Sequence, residues 1–269
     1  MNAVWKRRGG IIHCLQVAWV ALFLLGPGTV VGDSGEPLSE SLSGRVAAER
    51  AYQASRERFE SDSLNADAAW RFGKACFGWA DFARDNAERE RIALQGIDAC
   101  RQAIETQSDL AAAHHFLALN LGQLARTRRL RALTLVEQME TALKRAIELD
   151  SRIEHGSPDR SLGLLYFEAP GWPLSIGDSR KAILHLEKAV RIDPEYPENR
   201  LCLLEALVRQ GRLGPAQRVA REHAQALPRA KSVFEGPDWR LDWLDWNERW
   251  DRLQKRLVLV DPPEGTLNK

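Results

Sequence analysis

Six histidines and four cysteines are the side chains best able to do chemistry in this 269-residue chain. Their spacing points away from it. His114 and His115 are adjacent; on a helix they diverge and make a poor pair of metal ligands. His185 and His223 stand alone, where a packed core or edge histidine is expected. No CxxC pair and no Cys/His cluster marks a metal site. Nor does the chain hold G-x-S-x-G, a phosphate loop or H-E-x-x-H. The expectation is a non-enzyme with no cofactor and no metal. The basic run Arg126, Arg128, Arg129 and Arg131 is read as a solvated face, with an acidic partner as the sharper alternative.

The elements that would position these residues are helices. Hydrophobic residues are 44% and charged residues 28%, with a net charge of +1. That near balance argues against a polyelectrolyte partner, so nucleic acid is not expected. The mix of Arg, Ala, Leu and Glu favours helix. Leu257-Val-Leu-Val260 is the one strand candidate.

The N-terminus reads as an address. Lys6, Arg7 and Arg8 precede an apolar run from Ile11 to Leu25, and Gly26-Pro27-Gly28 breaks it. This is the layout of an export signal over residues 1–32. The run is short for a spanning helix of about 20 apolar residues; an uncleaved anchor is the alternative, and the only membrane contact expected. Cleavage removes three bases and no acid, turning +1 into −2. The destination is a bacterial periplasm or the exterior. Cys76, Cys100 and Cys202 then remain, an odd number. Cys76 and Cys100 fall on paired helices, either bonded or, the favoured reading, buried as small apolar side chains.

Residues 33–44 read as a linker, 45–228 as a helical domain and 229–269 as a C-terminal helix and tail. Within the domain a ladder repeats. Ala182, Leu186, Ala189 and Pro194 recur 34 residues later as Ala216, Ala220, His223 and Pro228. Spacings of four and three place each set on one helix face. Gly163 and Ala182 are small enough to let two helices approach to roughly 8–10 Å. Pro194 and Pro228 are read as helix stops. Trp172 and Leu174, in the loop Ala169–Asp178, are expected to anchor in apolar surface, and Asp178 to cap the next helix. Trp239, Trp243, Trp246, Trp250, Leu253 and Leu257 form one stripe, read as a cap over the last open face.

Leu162-Gly163-x-x-Tyr166 followed by Ala182/Leu186/Ala189/Pro194 resembles the tetratricopeptide (TPR) repeat, two antiparallel helices per unit. The resemblance implies an all-α right-handed superhelix of about four helix pairs with a Trp-rich capping helix. Ala69-Trp70-Arg-Phe-Gly-Lys-Ala75, Ala182–Ala189 and Pro197–Leu201 are similar to bacterial exported TPR proteins, among them the T components of TRAP transporters. The layout also resembles animal regulators of microtubule dynamics, whose role an export signal argues against. The first helices would line a concave groove that holds a peptide or partner segment. In this register it is lined by Arg71, Trp79, His115, Gln123, Arg160, Leu164, Glu168, Leu201, Glu205 and Arg209. The implied role is a protein-binding scaffold. The alternative is a transport accessory working with a solute-binding protein.

Overall fold

The computed structural model of the chain describes residues 38–128 and 132–258. The export segment, residues 33–37 of the linker, Arg129, Arg131 and the tail from 259 lie outside them. The described residues form a row of helices: α1 (Leu38–Ser61), α2 (Ala66–Ala80), α3 (Asn86–Thr106), α4 (Ala111–Thr127), α5 (Ala132–Asp150), α6 (Ile153–Glu168), α7 (Ser179–Ile192), α8 (Pro197–Arg209), α9 (Leu213–Val233) and, after a 3-10 turn at Pro237–Trp239, α10 (Arg240–Val258). Helices α2/α3, α4/α5, α6/α7 and α8/α9 are the four antiparallel pairs. Each pair also packs on the next through its second helix.

Local chemistry sets the helix starts. The Asn65 side chain accepts from the Asp67 and Ala68 amides, and Asp85 from Glu88. Asp178 accepts from Arg180 and Lys181, as its N-cap reading requires. Pro197 opens α8 in the first turn, where its missing N–H costs nothing. The extra residues of the first repeat lengthen α3 to 21 residues.

Pairing depends on close approach. A Cβ built on Gly163 would sit 2.8 Å from Leu186 Cγ and 3.0 Å from the Ala182 carbonyl. In the first repeat, a Cβ on Gly73 would run into the Cys100 thiol. Cys76 and Cys100 are both free and buried. Ala182, Leu186 and Ala189 are fully buried, as are Ala103, Ala146 and Ala216.

Several expectations are corrected. Helix α1 begins at Leu38, inside the expected linker, and Gly44 lies against Phe82 and Leu241. Pro228 does not stop α9, which runs on to Val233. The segment beyond it is held by packing, because Ala230 and Phe234 are buried in the main core. Leu257 belongs to α10 and is not in a strand. Trp172 and Leu174 are not anchored; they are 89% and 63% exposed. Ile176 packs on the core in their place. The amides of Leu174 and Ser175 both fold back on the Gly171 carbonyl, a turn that faces Trp172 and Leu174 outward.

The glycines give a paired test. Gly163→Val forces Leu186 and the α7 backbone away, and should lower stability by about 1–3 kcal/mol. Gly78→Ala, on the same class of helix with nothing within 4 Å of the added carbon, should raise it by about 0.5–1 kcal/mol. Urea unfolding followed by circular dichroism measures both.

Candidate functional site

The inner face of the stack is built from α2, α4, α6 and α8, and most of it is closed. His115, Gln123, Arg160, Leu164, Glu168 and Leu201 are all buried. Polar members of this set are tied to other parts of the chain. Gln123 donates to Asp81 at 2.9 Å. Arg160 donates to the Asn199 side chain at 2.6 Å and lies over the Tyr196 ring. Glu168 pairs with Arg209, whose guanidinium also covers the Phe167 ring. Burial pushes Glu168 up and Arg209 opposes the shift.

Two residues of the sequence register lie off this face. Trp79 is buried beneath α1, its ring 6.3 Å from that of Tyr52. Arg71 sits on the lip, paired with Asp67 at 2.7 Å and 4.6 Å from the Trp70 ring. Lys74 takes the inner position instead. It donates to Glu154 at 2.6 Å and lies 5.4 Å from the Phe116 ring. Lys74 follows Gly73 as Leu164 follows Gly163, so the crossing glycine carried this signal.

Glu154 reaches Lys74 because the chain turns left-handed at the start of α6. Glu154, His155 and Gly156 have φ of 46°, 60° and 77°, a region that suits only the glycine. The turn is tied down. The Asn199 amide donates to the His155 carbonyl at 3.0 Å, and the His155 ring bonds Asp193 at 2.7 Å and stacks on Tyr196 at 4.4 Å. Behind the Lys74–Glu154 pair, His115 is fully buried. Burial, then Arg160 and Lys74, holds its pKa down to about 3.

The other end of the inner face is filled by α10. This helix packs more on α8 than on α9. An added repeat would do the opposite, as α4 does on α3 and α2. The cap therefore sits displaced toward the first helices. Trp246 donates to Glu198 at 2.8 Å and is buried against Tyr196, 5.4 Å between rings. Arg249, 2% exposed, reaches Glu198 at 2.9 Å, Glu205 at 2.8 Å and Asp245 at 3.1 Å. Asp242 shares this buried corner. Burial, with Glu198 and Asp245 nearby, raises it from 3.8 to about 8. Sequence pattern located the stripe of α10 but not the face it covers.

The remaining singled-out groups have structural partners. His185 bonds Asp159 at 2.8 Å and His114 the Ser108 carbonyl at 3.0 Å. The His223 ring lies 4.7 Å from that of Trp250, and burial lowers its pKa to about 4. Arg126 pairs with Asp81 and Arg128 with Glu90, so these two members of the basic run are not a free solvated face. Among the described residues, no group of three or more His, Cys, Asp or Glu could hold a metal ion. A cavity of about 440 Å³ lies between α3, α4 and α5, lined by Leu94, Ile97, Leu121, Leu124 and Leu135 among others.

The family model described as regulator of microtubule dynamics protein 1-3 matches residues 39–154, under half of the chain. No curated protein matches the chain by sequence. Among solved structures, a thermophilic TPR protein of Thermus thermophilus is 17% identical, with a TM-score of 0.58 over 81% of this chain and 96% of that one. The pilF protein of Pseudomonas aeruginosa is also 17% identical, with a TM-score of 0.49 over 84% and 90%. MamA is 16% identical, with a TM-score of 0.45 over 74% and 98%. The Thermus likeness, with the nested pairs above, establishes a TPR-like fold.

The buried acids of the α8–α10 corner make stability depend on pH. The folded chain keeps a proton on Asp242 up to about pH 8, whereas the unfolded chain releases it near 3.8. Folding thus takes up a proton in this window, so this contribution falls as pH rises through it. Buried His115 and His223 act oppositely below about pH 6.5. Asp242→Asn isolates the aspartate. The variant should melt several degrees above the parent at pH 8 and lose that advantage toward pH 4. Arg249→Met should cost about 3–5 kcal/mol at pH 7.5 by stranding Glu198 and Glu205. Thermal and urea melts across pH check both.

Proposed function

We propose that this chain is a non-catalytic protein-binding scaffold of the bacterial envelope. It holds an extended segment of another protein along the exposed lip of its first helices. The observation that carries this reading is the set of side chains left at the two ends of the inner face. At one end Trp70, Arg71 and Lys74 form an aromatic and basic strip, with Trp70 stacked on Phe116 at 6.0 Å. At the other, on the edge of α8 beside α10, Arg209 and Glu205 stay partly exposed, their side chains 48% and 31% accessible. Partly exposed ion pairs exchange partners at little cost, and aromatic and Arg side chains supply most binding energy at such surfaces.

The envelope location rests on Lys6, Arg7, Arg8 and the apolar run to Leu25. The same segment weighs against a cytoskeletal role of the kind named by the matched family. A transport accessory, with a solute-binding protein as partner, would need an enclosed apolar passage. Ion pairs across the inner face support the scaffold instead.

Photo-crosslinking tests the proposal. Benzoylphenylalanine placed at Arg71 and Arg209 in cells should give discrete adducts with another envelope protein. The same probe at Arg101, exposed on a second helix, should give none. Absence of adducts from both lip positions, or turnover of a small molecule by the purified chain, would overturn it.

A further inference from the structure

The turns joining first to second helices lie along one edge, and that edge carries chemistry no partner segment on the inner face would use. The α6–α7 loop is closed by its own backbone hydrogen bonds. The Gly177 amide donates to the Pro170 carbonyl at 2.8 Å, and the Asp178 amide to Tyr166 at 2.9 Å. A Cβ on Gly177 would lie 2.7 Å from Pro170 backbone atoms. On this frame Trp172 is 89% exposed and Leu174 63%. Holding a large aromatic side chain in water on a fixed turn has no folding benefit, and the turn's internal bonds do not need it.

Bases surround the tip. Arg180 and Lys181 open α7 next to it, and Arg212 precedes α9 in the neighbouring turn. Arg209 at the end of α8 touches Phe167 and Glu168 at the end of α6, which brings the two turns side by side. The acids there already have partners. Glu168 is buried against Arg209, and Asp178 is bound to the Arg180 and Lys181 amides. Among the described residues, neither Arg180 nor Arg212 has a carboxylate within ion-pair distance. Helices α7 and α9 together carry eight Lys and Arg against two Glu, in a chain whose net charge is only +1.

We propose that this edge docks on an anionic lipid bilayer, with Trp172 and Leu174 entering the interface and Arg180, Lys181 and Arg212 meeting the headgroups. The apolar tip is two side chains on a protrusion, far short of the roughly 800 Å² per partner of a stable protein interface. It suits a headgroup layer, where Trp is enriched and basic residues gain from anionic lipid. The apolar segment Ile11–Leu25, if retained, would hold the edge near such a surface.

The test uses the full chain with Cys14→Ser and a nitrobenzoxadiazole fluorophore on Leu174→Cys. A second chain carries it on Ser108→Cys, in an exposed turn at the opposite edge. Vesicles of phosphatidylcholine alone, or with phosphatidylglycerol, are added. The proposal expects a blue shift at position 174, only with the anionic vesicles, and none at 108. Arg180→Glu with Arg212→Glu should weaken that partition at least about tenfold, with melting unchanged because both side chains are exposed. No shift at 174, an equal shift at 108 or with neutral vesicles, or a shift elicited only by an acidic protein or an oligonucleotide would overturn it.

Discussion

Two helices can lie side by side at short range only where a side chain is missing, and the first and third pairs of this molecule meet that condition. Gly163 has room for nothing between itself and Leu186, and Gly73 has none against Cys100. Each missing carbon lets a pair of helices interlock, and each interlocked pair offers an alanine-lined face to the next. Ala103, Ala146 and Ala189 are fully buried. The backbone of the site follows from this. Lys74 and Leu164 face inward because each follows a glycine already committed to the pair behind it.

A row of hairpins leaves its last pair uncovered on two sides, and α10 answers both. Its tryptophans close the end of the stack, while its displacement toward α8 carries it onto the inner face. The consequence is electrostatic. Glu198 and Glu205 of α8 are brought against Asp242 and Asp245, and Arg249 is the cation that meets three of these four acids. Such a corner is weak evidence for stability, since desolvation offsets much of the attraction. It does fix where α10 sits, because no neighbouring register of the helix would present Arg249 to both glutamates. Filling this end leaves the lip near Trp70 and Arg71, and the Arg209 end, as the accessible parts of the inner surface.

The pairing of helices was legible in the sequence because small residues at fixed spacing have few other uses. The N-cap at Asp178 and the stripe of α10 were legible for similar local reasons. What escaped was decided by tertiary contact. Pro228 is a helix breaker by its own chemistry, yet Ala230 and Phe234 gain enough burial to carry α9 past it. Trp172 is apolar and by its own chemistry should anchor in apolar surface, but a turn closed on Gly171 faces it outward. The helical register places ten residues in a groove. Six of them are buried on first helices, Trp79 is buried beneath α1, and Arg71, Glu205 and Arg209 stay partly exposed. Whether a helix face is open depends on what another part of the chain places over it, and periodicity does not report that.

The helices from α3 onward share one continuous core with α10, which is seated on the inner face of α8. Native-state hydrogen exchange of the intact chain, read by mass spectrometry, tests this most directly. Peptides from α8 and α10 should exchange together, with protection close to that of α6, and should open in a single cooperative step as denaturant rises. Rapid exchange of α10 while α6 and α8 stay protected would contradict the account.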